Sequence, residues 1–131
     1  MTEHLKMTSE KIDAVGGKSR RYKSGRLHTI DLKDASVRID DLWVEQLIGQ
    51  NKLKELNLKG TDISNKSLDT ISQLVSIETL DLSETAINDD AIAKLNSMQH
   101  LKVLVLSGSD VTQDRIRDIR ASMINTRIVS V

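Results

Sequence analysis

The sequence predicts an α/β fold, a right-handed β-α superhelical solenoid in which short parallel strands alternate with helices. Three observations predict it. The stretch Leu53–Ser76 (LKELNLKGTDISNKSLDTISQLVS) is followed by two variants of itself that begin at Ile77 and Leu101, so successive copies lie 24 residues apart. Each copy opens with apolar residues at period two and closes with apolar residues at helical spacing. No single copy can bury its apolar face alone, so the copies must stack into a continuous core.

Composition narrows the function classes. The 131 residues suit one domain. Lys plus Arg equals Asp plus Glu at 19 each, so no global field draws the chain toward nucleic acid or an anionic membrane. Cysteine is absent, which excludes disulfides, zinc–thiolate sites and thiol nucleophiles. With Tyr22 and Trp43 the only aromatic residues, the core must be aliphatic. No apolar run approaches the roughly 18–20 residues that span a bilayer. The opening MTEHLKMTSE has no apolar h-region. The expected compartment is therefore the cytoplasm, or the periplasm or exterior if a signal has been removed.

Residues 1–26 differ from the rest and read as an N-terminal cap over the open end of the stack. Thr8-Ser9-Glu10 starts a short helix with Ile12 and Val15 on one face. Gly16-Gly17 ends it, because glycine takes the left-handed conformation without a Cβ penalty. Two runs on either side of Ser24-Gly25 then read as a β-hairpin. Its second arm is the first strand of the repeat domain, residues 27–131.

The units lie near 27–52, 53–76, 77–100 and 101–125, with a truncated strand at 126–131. Their strands are Leu27-x-x-Ile30-x-Leu32, Leu53-x-x-Leu56-x-Leu58, Ile77-x-x-Leu80-x-Leu82 and Leu101-x-x-Leu104-x-Leu106. A polar turn and one apolar residue follow: Val37, Ile63, Ile87 and Val111. Ser64, Asn88 and Thr112 come next as helix caps. Helical apolar faces are Leu68-Ile71-Leu74, Ile92-Leu95-Met98 and Ile116-Ile119-Met123. Unit one is looser, with Leu42, Val44, Leu47 and Ile48, and its two extra residues are placed after Ile48. Glu45 stands where its helix should be apolar. The fourth unit is assigned one extra residue before Thr126.

The pattern L-x-x-L-x-L-x-x-T-x-I-x-D-x-x-L-x-x-L-x-x-L resembles the short leucine-rich repeats of bacterial proteins, notably those of planctomycetes, over about residues 10 to 131. Ile12-Asp-Ala-Val-Gly-Gly-Lys18 with the hairpin, and Arg120 to Val129 at the other end, are similar to the segments that flank such repeats. The resemblance implies a solenoid with strands on the concave side and helices on the convex side. It also implies a protein partner on the concave face and no reaction. Thr61, Thr85 and Ser109 stack in register, and their hydroxyls are expected to satisfy loop backbone groups between coils.

No catalytic, cofactor or metal constellation emerges. Gly16-Gly17-Lys18-Ser19 has the tail of a phosphate-binding loop, but Ile12 stands where the motif needs glycine, and the strand and helix are in the wrong order. His4, His28 and His100 are scattered, and no serine or threonine has a visible general base.

The candidate partner site is the outward row of the strands: Asp31 and Lys33, then Glu55, Asn57 and Lys59, then Asp81 with Thr79 and Ser83, then Val103 and Val105, and last Ile128 with Ser130. Val103, Val105 and Ile128 are expected to form an exposed apolar cluster. Lys18, Arg20, Arg21 and Lys23 form a basic run around Tyr22, which is a charged edge strand or a patch for phosphate or nucleic acid. The edge of Thr126–Val131 predicts self-association or strand addition by a partner. Trp43 is expected to pack against the N-terminal cap.

Overall fold

The computed structural model describes residues 7–131; His4 lies outside them. Six strands form one sheet in chain order. β1 (Lys18–Arg21) runs antiparallel to β2 (Leu27–Asp31). β3 (Glu55–Asn57), β4 (Thr79–Asp81), β5 (Val103–Val105) and β6 (Arg127–Val129) follow, each parallel to the strand before it. Helices α2 (Asp41–Glu45), α3 (Ser67–Ile71), α4 (Ile92–Asn96, after a 3₁₀ turn at Asp89–Ala91) and α5 (Gln113–Ser122) fill the returns. The arrangement is an α/β repeat with a mostly parallel sheet.

Register is strict. Ile30, Leu56, Leu80, Leu104 and Ile128 stand side by side on the buried face. With them the leucines and isoleucines that open and close each strand form one continuous aliphatic core. Each such side chain contributes about 1.5–3 kcal/mol when fully buried. One coil alone would leave its row in water on both sides.

Helix α1 (Ser9–Ala14) is capped by Thr8, whose hydroxyl accepts from the Lys11 N–H. It ends where the sequence predicts. Gly16 holds φ +85°, the Gly17 N–H reaches the Ile12 carbonyl at 2.9 Å, and the Gly16 N–H reaches that of Asp13 at 3.0 Å. A Cβ on Gly17 would lie 2.8 Å from side-chain carbons of both Ile12 and Leu32, so glycine lets the helix close onto β2.

Two assignments in the repeat register need correction. In unit one Val37 is half exposed (50%), and Ile39 takes the buried slot of Ile63 and Ile87. The Asp62 N–H bonds to the Ile39 carbonyl just as the Asp110 N–H bonds to that of Ile87. The two extra residues therefore lie in the loop before Ile39, not after Ile48. With that shift Val44 and Leu47 are buried, Leu42 and Ile48 are exposed, and Glu45 occupies the same solvent-facing place as Asp69. At the other end the fourth unit has no extra residue. Ile128 pairs beside Leu104 and is buried (7% exposed), so it belongs to the core rather than the outward row.

The coils are also joined by side chains that the repeat pattern did not predict. Asp41 accepts from the N–H and hydroxyl of Ser64, at 2.8 and 2.6 Å, and from the Ser67 hydroxyl at 2.6 Å. One unit on, Asn65 accepts from the Asn88 N–H at 3.1 Å. One further on, Asp89 accepts from the Thr112 N–H at 2.8 Å. Asp41, Asn65 and Asp89 are equivalent positions. Each receives the backbone N–H of Ser64, Asn88 or Thr112 in the next coil. Asn88 and Thr112 cap the helical turns that follow. Ser64 does not cap α3, whose N-cap is Lys66, but accepts from the Lys66 N–H at 3.2 Å in the turn before it. The Thr61 and Thr85 hydroxyls, by contrast, bond within their own turns, to Leu58 and Leu82 carbonyls at 2.7 Å.

Candidate functional site: the outward face of the sheet

The face opposite the leucine row is set by register. Thr29, Glu55, Thr79, Val103 and Arg127 form one line across it. Asp31, Asn57, Asp81, Val105 and Val129 form the next. Val129 therefore replaces Ile128 beside Val105. The apolar cluster consists of Val103, Val105 and Val129, all half-buried, flanked by the exposed Arg127.

The second line has an architectural task over three strands. The side-chain oxygens of Asp31, Asn57 and Asp81 accept from the N–H groups of Lys33, Lys59 and Ser83, at 2.9–3.0 Å. Each closes a turn as its strand ends. Ser83 is itself buried and donates its hydroxyl to Asp81 at 2.5 Å, so it does not belong to the open face. Lys33 folds back on Asp31 at 3.4 Å, while Lys59 lies 3.9 Å from Glu84. The polar residues of this line are thus explained by chain turning. Val105 and Val129 have no such role.

The basic run does not form one patch. Lys18 pairs with Asp31 and Arg20 with Thr29, and cross-strand partners share a face. These two cations therefore extend the outward face of the sheet. Ser19 points inward and bonds Ser9 at 3.2 Å. The register breaks between Arg20 and Arg21. Beyond the break Arg21 turns toward α1, while Tyr22 and Lys23 enter the hairpin turn.

Below the strands a charged row crosses three coils. Lys54 and Lys102 both reach the same oxygen of Glu78, at 3.1 and 3.5 Å. The hydrogen bond from Lys54 leads the causes that hold the Glu78 carboxyl below its ordinary pKa.

Trp43 is half-buried against the core, in a shallow cavity of about 490 Å³ shared with Leu42 and Ile48 rather than with the N-terminal residues. Among the described residues, no helix is long and apolar enough to cross a membrane.

No curated protein matches the chain. A family model described as Leucine Rich repeat matches residues 49–72, a segment that runs from the end of the first unit through β3 and the whole of α3. That match, with strands and helices alternating along a mostly parallel sheet, supports a leucine-rich repeat protein with an α/β repeat fold.

Proposed function

We propose that the chain is a leucine-rich repeat solenoid, capped by the residues before Leu27, that binds a protein partner through the concave face of its sheet and catalyses no reaction. The observation that carries this reading is the apolar row Val103, Val105 and Val129 at one end of a face that is basic at the other, at Lys18 and Arg20. The strands themselves need no apolar residue at these outward places, since Glu55, Asn57, Thr79 and Asp81 fill the same positions in other coils. An apolar contact surface bordered by polar residues suits a protein partner.

Affinity capture with wild type and with a Val105→Asp/Val129→Asp double variant tests it. The expected outcome is loss of a specific partner band with unchanged thermal unfolding. Equal capture by both proteins would remove this face from consideration. Asp81 is a poor probe because its carboxylate closes a turn.

The edge of β6 favours a second reading. Among the described residues it has a neighbouring strand on one side only. A second copy could add to that edge through backbone hydrogen bonds. Light scattering over a concentration series decides it: a strict monomer throughout eliminates self-association.

A further inference from the structure

We propose that the basin between the hairpin turn and the loop entering β3 binds a phosphoryl group carried by a small organic ligand. This inference does not rest on the sheet-face reading. The basin is open to solvent, has a volume of about 720 Å³ and is lined by Tyr22, Lys23, Arg26, Lys52, Lys54 and Ser76, among others; no carboxylate lines it.

Its walls are tied in place. The Tyr22 N–H and the Arg26 carbonyl close the hairpin turn at 2.9 Å. The Tyr22 hydroxyl donates to the Lys52 carbonyl at 2.9 Å, and the Arg26 guanidinium donates to the Asn51 side-chain oxygen at 2.9 Å. The Tyr22 ring rests edge-on against His28, with ring centres 4.9 Å apart. Two segments 25 to 30 residues apart in sequence are thus stitched together around the cavity.

Charge decides the ligand class. Lys23 and Lys52 make no ion pair among the described residues. Arg26 spends one N–H on a neutral amide. Lys54 shares a single carboxylate, Glu78, with Lys102. The lining therefore carries several cations and little to balance them. A phosphate dianion neutralises two charges and offers acceptor oxygens to several donors at once, which a monocarboxylate cannot. The Tyr22 ring and the lysine stems supply an apolar floor for an organic group next to the phosphoryl.

The test is a titration at low salt, followed by amide NMR shifts at Lys23, Asn51 and Lys52, with inorganic phosphate, phenyl phosphate and benzoate. Saturable shifts are expected with both phosphates, with benzoate at least tenfold weaker. Tighter binding of phenyl phosphate supports the proposal; inorganic phosphate binding equally well would overturn it, because the organic group would then contribute nothing. Lys23→Glu/Lys52→Glu should weaken phenyl phosphate at least tenfold without a change in unfolding temperature. The charge-matched control Lys18→Glu/Arg20→Glu, outside the basin, should leave it unchanged. Shifts that never saturate, an equal loss in the control, benzoate binding as well as the phosphates, or a response to a glutamate-rich peptide or an oligoribonucleotide but to neither phosphate would each overturn the proposal.

Discussion

Glu84 holds φ +55° in the slot where Gly60 and Gly108, one coil to either side, hold +72° and +73°. A left-handed residue with a Cβ costs about 1–2 kcal/mol, and glycine removes that cost while adding some unfolded-state freedom. Glu84→Gly should therefore stabilise the protein by about 1 kcal/mol, read as a higher urea midpoint at unchanged slope. Gly16 is the reverse case. It holds φ +85°, and a Cβ there would lie 2.7 Å from the Ser36 backbone nitrogen. Gly16→Ala should cost at least about 2 kcal/mol, since left-handed strain and a backbone clash add. Sequence inspection marks Gly16 as a helix stop but passes over Glu84, because a left-handed glutamate looks like any other polar turn residue.

Within the coils, the first unit separates two apolar residues that look interchangeable in sequence. Ile39→Ala should cost about 2–4 kcal/mol through the cavity it leaves, while Val37→Ala should stay within about 0.5 kcal/mol. Equal effects in denaturant melts would contradict the placement of the extra residues before Ile39. The strands were legible because leucines at period two have one reading, and five strands stand in the order the repeats imply. The loop from Lys33 to Arg38 was not, since Val37 and Ile39 both follow a polar turn and only the folded chain distinguishes them, by burial and by the rung from Ile39 to Asp62. Ile128 was misread for a similar cause. Thr126 looks like the start of a unit, yet its hydroxyl bonds the Leu101 carbonyl at 2.6 Å and the strand proper begins at Arg127. The outward row was largely legible, apart from Ile128 and Ser83. The basin was invisible, because Arg26 and Lys52 come together only when the hairpin turn meets the loop before β3.

Across the whole molecule, packing couples stability to pH. Burial leads the causes that push His100 below its ordinary pKa, while the Leu74 carbonyl acts in the opposite direction; its Nε2 is buried without a hydrogen-bond partner among the described residues. The folded state therefore favours neutral imidazole, and the unfolded state binds the proton more readily. That contribution is full above the ordinary histidine value of about 6.5 and is lost as pH falls below it. His100→Leu should flatten the stability profile between about pH 7.5 and 5.5, measured by urea melts across that range. At lower pH Asp41 takes over. Burial raises its pKa, but the bonds from Ser64 and Ser67 outweigh that and leave it below the usual carboxylate range, so its contribution is lost as pH falls through that depressed value. Asp41 is the first rung of the series that continues through Asn65 and Asp89; the three accept the N–H groups of Ser64, Asn88 and Thr112 in turn. Because every rung accepts a backbone N–H at an equivalent position, one coil can be removed without breaking the series. Excising residues 65–88 would set Ser64 directly before Asp89, leave Asp41 bonded to Ser64 and Asp89 to Thr112, and bring Leu56 beside Leu104. Such a shortened chain should fold with one strand fewer, seen as a cooperative melt with a smaller denaturant slope. The span of the molecule can thus change by whole coils, insertion or loss, while the ends and their surfaces stay as they are.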